Sequence, residues 1–378
     1  MLFTRRRLLA LSGTALSSAL VTAGCAPSDR SVGLRRGPKP KPGVPLLAHV
    51  RDGTPLLVIP MRPGKNLVHF PASAGEDLSV TAENGRRVRA TARPGAEGTW
   101  AGVDLPAGRS DLTVERGGSV STVPVSTGSE PPLPGAVGDD GPECASAALG
   151  GLVAGSRARL SRSPSDALAP ADATALRRLV GHIASRGAPG ITVAADGSQR
   201  AQQAAQVVRD SAAQANIPTS SAPEPSSALV IVAGWSRSAQ LLGDVAAKQA
   251  TQPMHTAGVY LAPWLQYSPV VTKSPISYVP LGFNPSDERS LAYPAALANA
   301  FGGEMPSTSG FDQWRTTRHE TSQESLVLYA SAQVRAMQMM HFSDDMPGMS
   351  MGGGHRHRHR GYWVSNGTCV PVSGPLPT

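Results

Sequence analysis

Hydrophobic and polar positions follow two different rhythms along the chain, and the change falls near residue 140. Between residues 44 and 127 the apolar positions come in short runs at 56–59, 66–70, 78–82, 87–91, 111–114 and 121–125, several of them alternating with polar positions. A period of two marks a strand with one buried face. Gly53, Pro63-Gly64, Asn84-Gly85, Pro94-Gly95 and Gly117-Gly118 separate the runs, supplying the backbone conformations that tight turns require. About seven short strands in this space predict a small antiparallel β-sandwich over residues 44–127.

From residue 143 the period lengthens. Residues 172–186 are amphipathic at helical spacing, 190–195 form an apolar run, and 198–216 read as a helix. A second strand at 228–233, a second crossover helix at 236–250 and a third strand at 258–262 follow. This βαβαβ order predicts a parallel sheet with helices on both faces, and Ser198 and Ser236 stand where helix N-caps belong. Residues 128–142, rich in Pro, Gly and acidic side chains, read as a linker, with the α/β domain at 143–340 and a tail at 341–378. The expected fold class is therefore multidomain, an antiparallel β-sandwich followed by an α/β domain.

The N-terminus changes the picture of where the chain resides. Thr4-Arg5-Arg6-Arg7-Leu8-Leu9 is basic, and residues 8–21 are apolar but too short and too rich in Ser, Gly and Thr to span a bilayer. The layout is that of a secretory signal over residues 1–24. Its end, Thr22-Ala23-Gly24-Cys25, resembles a bacterial lipobox, with Thr22 where Leu is usual. The resemblance implies that Cys25 carries a diacylglyceryl lipid and becomes the new N-terminus, with palmitate-type chains anchoring the protein at the extracytoplasmic face of the cell membrane. The Thr-Arg-Arg-x-Leu-Leu string also resembles a twin-arginine export signal, a plain secretory peptide being the alternative.

Residues 25–43 read as the lipidated cysteine and a flexible basic tether. The net charge of +8 falls to +5 without Arg5, Arg6 and Arg7, and the tether accounts for nearly all of the rest. The basic balance therefore argues against nucleic acid as a partner and for anionic lipid headgroups beside the anchor.

Abundant Gly, Pro, Ala and Arg with scarce Lys and Phe is the profile of a high-GC actinobacterial protein. Met61-Arg62-Pro63-Gly64-Lys65-Asn66, Gly98-Thr99-Trp100 and Leu105-Pro106-Ala107-Gly108 are similar to motifs of the small immunoglobulin-like domains that accompany bacterial copper-resistance membrane proteins. Such sandwiches also serve as plain spacers. The α/β region, with 290–293 and 301–307 and expected helices near 310–315 and 320–340, resembles one lobe of the type I periplasmic solute-binding family. That family closes two lobes around its ligand and this chain has room for one, so no ligand-binding residue is carried over.

Candidate chemistry concentrates late in the chain. Six of the ten methionines lie between Met337 and Met351, and four of the nine histidines between His341 and His359. Thioether sulfur is soft and survives oxidising conditions, so clustered Met with His suits Cu(I), while imidazole also accepts Cu(II), Zn(II) and Ni(II). Met346-Pro347-Gly348-Met349-Ser350-Met351 holds both Met-x-Met and Met-x-x-Met spacings, and Met337 and His341 stand four residues apart. The candidate copper ligands are Met337, Met340, His341, Met346, Met349, Met351, His355, His357 and His359. Met337 and Met340 also suit a helix core, and the Arg residues between His355, His357 and His359 suit a basic tail. His49, Met61 and His69 in the sandwich, and Met254-His255, are further Met/His candidates or structural side chains.

Cys144 and Cys369 remain once Cys25 is lipidated. Outside the cytoplasm the simplest expectation is a Cys144–Cys369 disulfide, the alternative being two thiolate ligands. Gly234-Trp235-Ser236-Arg237-Ser238 opens a helix after a strand as a nucleophile elbow does, but it lacks the second glycine and reads as capping. The expected function is non-enzymatic: a lipid-anchored protein that binds copper for buffering, delivery or resistance, with a membrane transporter or copper-handling protein as partner. The alternative is a solute-binding-like receptor or interaction lipoprotein of a membrane transporter with no obligatory metal.

Overall fold

The run Leu56-Leu57-Val58-Ile59 is apolar at every position, which a strand with one wet face does not need. In the computed structural model, which describes residues 39–320, 324–333 and 362–377, all four side chains are buried. The strands of this region are β1 (Leu46–His49), β2 (Pro55–Ile59), β3 (Gly64–Phe70), β4 (Leu78–Ala82), β5 (Arg87–Arg89), β6 (Thr99–Leu105), β7 (Arg109–Arg116) and β8 (Ser119–Ser126). They form two antiparallel four-stranded sheets, ordered β1-β2-β3-β6 and β5-β4-β7-β8. Leu56, Val58, Val68 and Phe70 point into the space between the sheets, with Leu78, Val80, Leu112 and Val114 from the other side.

The two sheets differ on their outer faces. β4 and β7 show water Thr81, Asp111, Thr113 and Glu115, whereas β2, β3 and β6 turn Leu57, Ile59, Leu67 and Trp100 into a second core. That second core is continuous with the α/β region, through Cys144, Ala145 and Leu149. Burying each such Leu or Ile is worth about 1.5–3 kcal/mol over leaving it wet. The two regions are thereby welded rather than strung on a free linker, and the described residues belong to one compact unit.

The second region contains α1 (Gly141–Val153), α2 (Pro170–Ser185), β9 (Ile191–Ala194), α3 (Gln199–Gln214), β10 (Thr219–Ser220), β11 (Ala228–Ile231) and α4 (Trp235–Gln249). It continues with β12 (Val259–Leu261), α5 (Ser268–Val271), β13 (Ile276–Leu281), α6 (Glu288–Ala300), α7 (Thr308–Thr317), β14 (Val327–Gln333) and β15 (Gly367–Pro375). The sheet order is β10-β9-β11-β12-β13-β14-β15, parallel as far as β13 and antiparallel beyond it. The expected parallel sheet is thus a mixed one. The chain steps from β9 outward to β10, then back across to β11, so the direction of winding reverses between β9 and β11.

Two expectations are corrected here. The helix expected over 320–340 is, where described, strand β14, paired with β13 from Ile276↔Ala332 to Leu281↔Val327. Leu328, Tyr329, Ala330 and Ser331 are all buried because β14 lies between two strands, and that two-sided burial outweighs the helical tendency of the Ala- and Gln-bearing sequence. Likewise, residues placed in a tail return to the fold: β15 pairs along β14, and Trp363, Val364 and Leu376 are buried.

The expected disulfide is also absent. Cys144 and Cys369 are free. Cys144 is buried on α1 with Ser163 beside its thiol, and burial pushes that thiol up to about 12. Cys369 stands on β15 and accepts a hydrogen bond from Ser331 Oγ at 3.6 Å, with its thiol pushed up to about 11, again by burial. Each thiol has its own polar neighbour, and the two stand on the first helix and the outermost strand of the region.

Candidate functional site

In an open α/β sheet the carboxyl ends of the parallel strands, at the point where winding reverses, form a natural crevice. Here two adjoining cavities of about 600 and 580 Å³ open there. The first lies over the ends of β9 and β11 and is lined by Asp139, Asp140, Asp196, Ser198, Ser236 and Arg237. The second lies past β12 and is lined by Glu143, Asp172, Arg200, Trp264, Ser309 and Asp312.

Each lining group is held by its element. Asp196, just after β9, accepts from Gly234 N–H at 2.6 Å and Ser198 N–H at 2.8 Å, joining the starts of α3 and α4. Burial works to raise its carboxyl, but these hydrogen bonds prevail and hold it below the usual carboxylate range. Gly234 is glycine for a reason of space, since a Cβ there would strike the Asp140 carboxylate. Asp140 is pushed up to about 6, by burial and then by the charge of Glu143. Ser198 caps α3 as the sequence indicates, accepting from Ala201 N–H, but the N-cap of α4 is Gly234 and Ser236 stands inside the first turn.

The floor of the second cavity is a buried ion pair. Arg200, 2% exposed, donates to both oxygens of Glu143, itself fully buried, at 2.7 and 2.6 Å. Ser309 Oγ donates to the same carboxylate at 2.7 Å, tying α7 to α1 and α3. The guanidinium lies 4.5 Å from the centre of the Trp264 ring. Trp264 is fixed in turn by its indole N–H to Ala233 O and by the Trp235 indole N–H on its own carbonyl, at 3.0 and 2.9 Å. Above this floor Asp172 is half-buried without a hydrogen-bond partner among the described residues. Its carboxyl is pushed up to about 7 by burial and by the charge of the neighbouring, exposed Asp312.

A second polar cluster lies where the sandwich meets the α/β region, and here each carboxyl has a hydrogen-bond partner. His69, on the outward face of β3, stacks on Trp100 with ring centres 3.8 Å apart. Its Nε2 lies 3.1 Å from Glu304 Oε2, and Tyr267 donates to Glu304 Oε1 at 3.3 Å. Glu97 accepts from Met305 N–H at 2.9 Å, while its own N–H donates to the Tyr267 hydroxyl at 3.1 Å. Burial, then the charge of Glu304, pushes the Glu97 carboxyl up to about 8.

The residues singled out from sequence fare as follows. Cys25 and Met337, Met340, His341, Met346, Met349, Met351, His355, His357 and His359 lie outside the described residues. What is described are the flanks of that segment: Gln333 and Gly367 are register partners on β14 and β15. His49 is exposed on β1, Met61 is fully buried in the sandwich core, and His69 is committed to the interface with the α/β region. His255 is buried with Nδ1 3.4 Å from Ser227 Oγ, so the Met/His candidates outside 337–359 do not converge. Among the described residues no group of three or more His, Cys, Asp or Glu is placed to hold a metal ion, and no helix is long and apolar enough to cross a membrane.

The crevice residues were not singled out from sequence, yet one signal was present. Arg200 is the second residue of a helix, where the positive end of the macrodipole disfavours a cation. An arginine there is explained only by a tertiary partner, which is Glu143. Comparison with known families does not add to this picture: no family model matches the chain, and no curated protein matches it significantly.

Proposed function

We propose that this chain is an extracytoplasmic lipoprotein, anchored through Cys25, that binds copper through the Met/His-rich segment at residues 337–359 and buffers or delivers it at the membrane face. The donor set fits soft Cu(I): thioethers from Met346, Met349 and Met351, with imidazoles from His341, His355, His357 and His359. The observation that carries the reading is the pairing of Gln333 with Gly367. The donors lie between two residues already held side by side, so the scaffold has met part of the closure entropy that bringing them round one ion requires.

The test is competition for Cu(I) between the full chain and a chromophoric chelator. Replacing Met346, Met349 and Met351 together by Ala should lower the affinity at least tenfold while leaving the unfolding midpoint unchanged. Equal affinity in the triple variant removes these residues from the site.

The crevice at the carboxyl ends of the parallel strands supports a second reading, a receptor lipoprotein that answers a small ligand and engages a membrane transporter. It requires no metal.

A further inference from the structure

We propose that the cavity between α1, α7 and residues 156–170 is a binding site for a small aliphatic amine, whose ammonium group pairs with Asp172 and Asp312 while its methylene chain lies on the apolar wall. The inference rests on the receptor reading and is independent of the copper reading.

Three observations converge. First, the space is about 580 Å³, room for a compact organic molecule and far more than a single bridging water needs. Second, its charged groups divide into those already engaged and those left over. Glu143 and Arg200 satisfy each other on the floor, Arg159 is held by Glu130, and Asp166 accepts from Ser163 N–H at 2.8 Å. Arg162 is exposed, and Asp172 and Asp312 are left, two carboxyls close enough for one to raise the other; neither is in an ion pair among the described residues, while the charges of Arg200 and Arg315 oppose that rise from farther off. Asp172 lies in the first turn of α2, which accounts for an acidic residue there but not for half-burying it against a second carboxyl. Third, Ala147, Ala148, Leu152, Leu160 and Leu168 form an apolar wall beside the pair, which a hydrated metal ion would not use. The carboxyls also fall short of the ligand number of a calcium or magnesium site, and no metal-ligating group is found among the described residues.

A ligand with one ammonium group and a short alkyl chain answers each feature. The charge compensates the two carboxylates, and the chain covers the Ala and Leu wall. Neutral or anionic molecules of the same shape leave the carboxylates unpaired, a loss large enough to discriminate strongly.

Titration adds a signature. The charged groups acting on Asp172 are Asp312 from α7, Arg200 from α3 and Glu143 from α1; Asp166 from the turn at Pro164–Asp166 and Arg159 and Arg162 from the preceding stretch line the same cavity, and Arg315 on α7 acts on Asp312. With its carboxyl pushed up to about 7, Asp172 must shed a proton before an ammonium group can bind. Affinity therefore rises as pH goes from 6 to 8, by about tenfold, with proton release at the lower pH.

The experiment is calorimetric titration of the full purified chain with 1-aminobutane, 1-butanol and butyrate at pH 6 and pH 8. Expected are saturable binding of the amine alone, tightening about tenfold at pH 8, loss of at least tenfold in Asp172→Asn, and unchanged binding in the variant with Met346, Met349 and Met351 replaced by Ala. Should Asp172→Asn fail to fold, Asp312→Asn must weaken the amine instead. Binding of the alcohol equal to that of the amine, no amine binding at millimolar concentration, or a folded Asp172→Asn that binds as the parent does would each overturn the proposal. The readout uses the chain alone, so failure to find a transporter partner would count against the receptor reading and not against the amine site.

Discussion

The seam between sandwich and α/β region and the crevice at the carboxyl ends of the strands are both built around carboxyl groups withdrawn from water, and they treat them in opposite ways. At the seam Glu304 is engaged by His69 and Tyr267, Glu97 by the Met305 amide, and aromatic rings close the remainder. In the second cavity the floor is satisfied, whereas Asp172 above it has no hydrogen-bond partner among the described residues. A fully satisfied polar cluster fixes one arrangement of two packed surfaces, because any shift strands a buried group. A half-satisfied one stores an unmet interaction, which folding alone does not explain and a ligand would answer.

The sharpest way to break this contrast is to unsettle the crevice floor. Arg200→Ala leaves Glu143 charged and fully buried, and should cost about 3–5 kcal/mol in denaturant unfolding. The Arg200→Ala, Glu143→Ala double variant should lose less than the two single losses added together. Additive losses would mean that the pair is packing rather than charge.

A smaller effect should come from titrating the seam. Glu97 binds its proton more tightly folded than unfolded, so its contribution is full below the usual carboxylate range and is lost as pH rises towards and through about 8. Asp172 and Asp140 act in the same direction, through about 7 and about 6. Thermal unfolding midpoints should therefore fall between pH 5 and pH 8.5, and Glu97→Gln, which keeps an acceptor for Met305 N–H, should flatten the decline. A curve of the same slope in that variant would place the pH sensitivity elsewhere.

The smallest expected effect is the most informative about the crevice. Asp312→Asn should change stability by no more than about 0.5 kcal/mol, because its side chain is exposed and makes no hydrogen bond or ion pair among the described residues, and the rise of its carboxyl with burial is opposed by the charge of Arg315. A loss well above that would make the crevice carboxyls structural and erase the contrast with the seam.

How far each region was legible follows from the same physics. Strands β2, β3, β4, β7 and β8, helices α2, α3 and α4 and the Ser198 cap were readable because local periodicity and capping chemistry carry them. β14 was misread because its central residues Leu328, Tyr329, Ala330 and Ser331 show no alternation, all four being buried by neighbours distant in sequence. β15 was hidden for the related reason that its partner is separated from it by the whole Met/His-rich segment. Of the candidate sites, the Met/His cluster was visible as composition, while His69 gave no sign that Glu304 would claim it.

By itself the sequence determined the order of two architectures, the turn positions between their strands, the presence of a lipobox-like N-terminus and the concentration of soft donors near residue 346. Those are local properties, carried by residues a few positions apart. Tertiary structure decided that the sandwich shares a core with the α/β region, that Cys144 and Cys369 stay apart, and that Glu143, Arg200, Asp172 and Asp312 meet at one cavity. Helices α1, α2, α3 and α7 bring those four side chains together only once the sheet is wound. Their pairing is therefore a consequence of topology, and no short window of the sequence contains it.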